Sequence, residues 1–133
     1  MLSPIMKSNK KKKNYLFKNG VFKDELTYSG DTYSIVNNEL RIKKWFILNY
    51  AEPNKMIYVK WYIPDGTPNN YNAYPMIMNK NFNYNNKGGW FDSRSIKNVE
   101  MITAISSYEC LRLEEFYTSC YFHVKEIWVE DID

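Results

Sequence analysis

The chain has 133 residues, a net charge of +3 and an aromatic content of 17%. This length predicts one domain with a single hydrophobic core, and no apolar run approaches the roughly 20 residues that a membrane-spanning helix needs. Tyrosine, tryptophan and phenylalanine favour pleated strands and asparagine favours turns, so the composition predicts an all-β protein. An A/T-rich genome would account equally well for the excess of asparagine and lysine.

Residues 1–14 are predicted to form an arm separate from the domain. The segment KSNKKKKN contains five of the eighteen basic residues, and without them the chain has 13 basic against 15 acidic groups. A solvated tail is one interpretation of such a charge run, and a nucleic-acid contact is disfavoured because the basic charge ends at residue 13. An apolar tip before the charges is also unlike a secretory signal. We expect the arm to dock on a partner protein through Leu2, Ile5, Met6, Lys10, Lys11, Lys12 and Lys13.

Alternating apolar residues predict strands from residue 15 onward. Asn19-Gly20 in YLFKNGVF is the strongest short hairpin signal, and Ser29-Gly30-Asp31 predicts a second turn. Asn37-Asn38 separates the runs TYSIV and ELRI, and because asparagine tolerates positive φ, it predicts a tight hairpin. In MIYVKWYIP the apolar residues at 57, 59, 61 and 63 are predicted to face inward, with Tyr58, Lys60 and Tyr62 outward.

The second half of the chain predicts loops at 64–70 and 79–91 and strands at 73–78 and 99–105. In the last stretch, two alternating runs flank Tyr117-Thr118 and predict a closing hairpin, in which Leu111 faces Val124 and Leu113 faces Phe122. The alternation breaks at Lys125-Glu126, which predicts a β-bulge. In this register Cys110 and Cys120 lie too far apart for a disulfide, so two free and mostly buried thiols are expected, as in a reducing cytosol.

Residue types for catalysis are scarce. His123 is the only histidine, and since its strand neighbours face the core, we expect it on the solvent-facing side. Two separated cysteines and one histidine cannot complete a zinc site, and the sequence contains no glycine-rich phosphate loop. Two catalytic carboxylates must lie close together in space, and the sequence does not show this for the acidic pairs Asp24-Glu25 and Glu114-Glu115. We therefore predict a protein that is not an enzyme and that needs neither cofactor nor metal.

About eight strands at 8–12-residue spacing predict a β-sandwich or jelly roll. The segments LFKNG, SIVNNELRI and FHVKEIWVE resemble the galactose-binding-like β-sandwich modules of bacteriophage tail and other virion proteins from low-GC Gram-positive hosts. The resemblance covers residues 15–130 in outline. It implies a jelly-roll domain at 15–133 behind an extended basic arm at 1–14. It also implies a structural protein of the virion, either a tail or baseplate component, which is favoured, or a capsid-decorating one, assembled with other virion proteins.

Aromatic residues outside the strand alternation are the candidates for ligand or partner contacts. Flat rings flanked by asparagine can stack on sugars, and the same rings are enriched at subunit contacts. A carbohydrate-recognition module that binds the host cell wall is therefore an alternative function, and an intracellular nucleic-acid-binding protein that uses the arm is another. The candidate residues are Tyr71, Tyr74, Tyr84, Trp90 and Phe91.

Overall fold

The computed structural model describes residues 11–64, 75–79, 97–107, 110–115 and 122–132. These residues contain nine strands and no helix, which confirms the all-β prediction. The strands are β1 (Asn14–Lys18), β2 (Val21–Phe22), β3 (Tyr28–Val36), β4 (Glu39–Leu48), β5 (Lys55–Tyr62), β6 (Pro75–Asn79), β7 (Met101–Ser106), β8 (Leu111–Glu115) and β9 (Phe122–Asp131).

β4 and β9 are the central strands, because each of them pairs with three others. β5 occupies one edge of β9 along residues 123–131, and the other edge is shared by β4, at 122–124, and β1, at 127–129. β4 likewise pairs with β3 along one edge and with β9 and β8 at successive positions on the other. β2, β6 and β7 extend β1, β8 and β5, and every pair of these strands is antiparallel.

Both predicted asparagine turns are confirmed. Asn19 and Gly20 have φ values of 54° and 78°, and Asn37 and Asn38 have values of 54° and 64°. Two consecutive residues with positive φ form the type I′ turn, whose twist matches that of the flanking strands. The two turns lie against each other, since a Cβ atom on Gly20 would be 3.0 Å from the Cα atom of Asn38.

The turn predicted at Ser29-Gly30-Asp31 is wrong, because these residues lie inside β3. The glycine there serves close packing, since a Cβ atom on Gly30 would lie 2.6 Å from Cδ1 of Tyr33 and 3.0 Å from the backbone oxygen of Trp45. The irregularity in β3 comes two residues later, where the register with β4 shifts between Asp31 and Tyr33.

The predicted closing hairpin is also wrong. β8 and β9 both run antiparallel to β4, so they run in the same direction. Leu111 and Leu113 face Leu48 and Phe46 of β4 rather than residues of β9. The alternation of apolar residues predicted the inward face of each run correctly. It did not identify the partner strand, because the apolar face of β4 matches β8 as well as that of β9 does. The predicted turn at 117–118 lies outside the described residues.

The predicted bulge in β9 is confirmed. Lys60 of β5 pairs with Glu126, and the next residue, Trp61, pairs with Val124, so Lys125 is the extra residue. The bulge restores the inward direction of Ile127 and the residues after it. The predicted faces of β5 are confirmed as well, since Ile57, Val59, Trp61 and Ile63 are all buried whereas Tyr58, Lys60 and Tyr62 are partly exposed.

Candidate functional site

Four side chains form a row across the outer face of β3, β4, β9 and β5. Ser34 pairs with Arg41, Arg41 pairs with His123, and His123 pairs with Tyr62. The residues that follow Arg41 and precede His123 and Tyr62 on their strands belong to the core. Because successive side chains of a strand point to opposite faces, the row lies on the side away from the core.

Glu39, Tyr62 and His123 form a hydrogen-bonded cluster at one end of this row. The hydroxyl of Tyr62 donates to Oε1 of Glu39, and Nδ1 of His123 lies 3.2 Å from the hydroxyl oxygen of Tyr62. Burial, followed by the bond to Glu39, raises the pKa of Tyr62 to about 12. The phenol therefore keeps its proton at neutral pH, and its oxygen can accept a hydrogen bond from His123.

His123 lies on the predicted face, but the prediction that it faces solvent is wrong. Its side chain is only 7% exposed, since the neighbouring side chains of the row and Glu39 surround it. Burial lowers the pKa of His123, the positive charge of Arg41 lowers it further, and the nearby Glu39 acts in the opposite direction. The imidazole is therefore neutral at neutral pH.

An open cleft of about 410 Å³ lies beside the row. At its wall, Nε of Arg41 is buried and has no hydrogen-bond partner among the described residues. The cleft brings two basic side chains and three hydroxyl groups together with the imidazole. It is lined by Thr32, Tyr33 and Ser34 of β3, by Arg41, Ile42 and Lys43 of β4, and by His123 of β9.

A second feature of the outer face is an aromatic and cationic layer centred on Trp128. Its ring stacks on Tyr58 with centroids 5.4 Å apart and an interplanar angle of 5°, and Tyr15 packs against it at 6.1 Å. Nζ of Lys13 lies 4.3 Å from the ring centroid, and the indole nitrogen donates to Glu130. Trp128 is 2% exposed, so this ring is covered by its own chain.

Part of the predicted docking arm contacts the domain itself. Lys11 donates to the backbone oxygen of Asp131 at 2.7 Å, Lys13 lies over Trp128, and Lys12 is exposed. The other predicted docking residues, Leu2, Ile5, Met6 and Lys10, lie outside the described residues. Docking of the arm on a partner therefore stays a prediction.

The predicted aromatic contact residues Tyr71, Tyr74, Tyr84, Trp90 and Phe91 lie outside the described residues as well. The sequence analysis missed the cleft. Arg41 and Lys43 alternate with Leu40 and Ile42, and this pattern alone indicates two basic side chains on the outer face. No local signal could have shown that His123 lies beside them. Of the two cysteines, Cys110 is a partly buried free thiol, and Cys120 is outside the described residues.

Comparison with known proteins gives no relative from which a function could be transferred: no family model, no curated protein and no solved structure matches the chain. The part of the chain that the structure describes has no helix long and apolar enough to cross a membrane. Within the same residues, no three or more His, Cys, Asp or Glu side chains are grouped as metal ligands.

Proposed function

We propose that this chain is a non-enzymatic structural protein of a bacteriophage particle, in its tail or baseplate, held in place by contacts with other virion proteins. The observation that carries the proposal is the edge of β3 that faces away from β4. This nine-residue strand pairs with β4 and with no other strand among the described residues. Its exposed side chains include Tyr33, Ile35 and Val36.

Long apolar edges are uncommon in proteins that act alone, because they recruit further strands. Natural edge strands are usually protected by lysine, proline, inward-pointing charges or bulges. β3 contains neither lysine nor proline, and it has one charged residue, Asp31, and one register shift, between Asp31 and Tyr33. We infer that this edge is covered by a strand of a neighbouring virion protein, through main-chain hydrogen bonds and contacts to the exposed apolar side chains.

The proposed fold is a jelly-roll β-sandwich. In this arrangement β7, β5, β9, β1 and β2 form one layer, and β3, β4, β8 and β6 form the other, joined where β4 pairs with β9. It is supported by the single apolar cluster that contains Ile57 and Val59 of the first set of strands with Leu111 and Leu113 of the second. The resemblance of LFKNG, SIVNNELRI and FHVKEIWVE to virion modules points the same way.

The test is incorporation of variants into particles. Ile35→Lys places a charge on this edge of β3. Ile102→Lys is the matched control on a second edge strand, since Ile102 is 56% exposed and lies on β7, which pairs with β5 and with no other strand among the described residues. Each variant would be introduced into the native gene, and purified particles would be analysed for the chain by quantitative mass spectrometry.

We expect wild type and Ile102→Lys in the particles at equal copy number, and Ile35→Lys to be reduced at least tenfold although it remains folded in the lysate. Particles that lack even the wild-type chain would refute the virion role. Equal incorporation of both variants would show that the β3 edge is not the contact.

A further inference from the structure

The cleft beside Arg41 adjoins β3, the strand of the proposed assembly contact, but its chemistry differs from that of the apolar edge. We propose that it binds a small oxyanion, namely a phosphate or carboxylate group, with the Arg41 guanidinium as the principal donor. The inference goes beyond the proposed structural function and does not depend on it.

The first argument is the state of Arg41. Its Nε is buried and has no hydrogen-bond partner among the described residues. A buried hydrogen-bond donor without a partner is costly. An oxyanion in the cleft would remove that cost, because guanidinium and oxyanion form short, charge-assisted hydrogen bonds.

The second argument is what surrounds Arg41. Lys43 lies two residues along β4, and both side chains line the cleft. Ser34, directly opposite Arg41, adds a hydroxyl group that can donate to oxygen. Cation and hydroxyl donors converging on one small space are the groups that recognise an oxyanion.

The two carboxylates that lie near the cleft among the described residues, Glu39 and Asp31, are engaged by other groups. Glu39 accepts the hydroxyl of Tyr62 and lies 3.6 Å from Nδ1 of His123. Asp31 accepts from the Thr32 hydroxyl and is 3.6 Å from Nζ of Lys44. Glu39 still contributes a negative charge near the cleft, where it acts against the positive charge of Arg41.

The experiment is a titration of the whole chain followed by the ¹H–¹⁵N resonance of the Arg41 Nε–H group. Inorganic phosphate and acetate are the two probes, and sodium chloride at matched ionic strength is the salt control. Arg41→Gln removes the proposed donor. Lys44→Gln is the control, because it removes an equal charge from the same strand. Lys44 is exposed and lies outside the cleft lining.

We expect a saturable shift of the Arg41 resonance, at least tenfold weaker binding in Arg41→Gln, and less than a twofold change in Lys44→Gln. A stronger response to phosphate than to acetate would identify a phosphate ligand, and the reverse a carboxylate. The proposal fails if chloride gives the same shift, if the resonance does not move, or if Lys44→Gln weakens binding as much as Arg41→Gln. Should Arg41→Gln not fold, the wild-type resonance still decides.

Discussion

Replacing Trp128 by alanine tests whether the outer aromatic layer is as tightly packed as a core. Trp128 lies on the face away from the core, yet it is only 2% exposed, so its removal should cost about 3–5 kcal/mol, as for buried aromatic rings. The stack on Tyr58 contributes about 0.5–1.5 kcal/mol and Lys13 about 0.5–1 kcal/mol of that loss. The total is a large part of the roughly 5–15 kcal/mol by which a domain is stable.

The assay is urea denaturation followed by circular dichroism. Trp45→Ala is the control, because Trp45 is also on a strand but is partly exposed and has Arg112 over its ring at 5.4 Å; it should cost about half as much. A double-mutant cycle of Trp128→Ala with Tyr58→Ala should give a coupling energy near 1 kcal/mol. If Trp128→Ala costs no more than Trp45→Ala, or if the coupling is zero, the layer does not stabilise the fold as argued.

Two further predictions follow from close packing and from burial. Gly30→Ala should lower the free energy of unfolding by about 1–3 kcal/mol, because its Cβ atom would lie 2.6 Å from Tyr33 and overpacking has that cost; an unchanged urea midpoint would contradict the packing. His123 has a lowered pKa in the folded chain, so the unfolded chain binds its proton first as pH falls below the unfolded pKa of about 6.5. The free energy of unfolding should therefore decrease from pH 7.5 towards pH 5, and this decrease should be smaller in His123→Gln. Equal decreases in the two proteins would exclude this cause.

The features that were predictable from the sequence are local ones. The Asn19-Gly20 and Asn37-Asn38 turns were predictable because few residues accept positive φ. The bulge at Lys125 was predictable because a single extra residue reverses the faces of everything after it. Each of these depends on a few neighbouring residues, and a one-dimensional pattern contains all the information needed.

Strand partners were not predictable in the same way. The runs of β8 and β9 have the correct faces, but alternation is identical for every strand that shares the core, so Leu113 could be matched with Phe122 or with Phe46. The closing hairpin was inferred because strands that are adjacent in sequence often pair with each other. In the structure, β8 and β9 each pair with β4 instead. The cleft depends on this choice, since Arg41 and His123 meet only because β4 pairs with β9.

The two proposed functions share one strand. Thr32 and Ser34 of β3 line the cleft, and Ile35 and Val36 of the same strand form its exposed apolar edge. A partner strand hydrogen-bonded to β3 would fix the backbone that positions the Ser34 hydroxyl, and an anion held by that hydroxyl would restrain the same backbone before the partner arrives. Linkage requires these effects to be equal in size: if edge pairing tightens anion binding by some factor, the anion tightens edge pairing by the same factor. An anion in the cleft would then favour assembly, although it touches no residue of the partner.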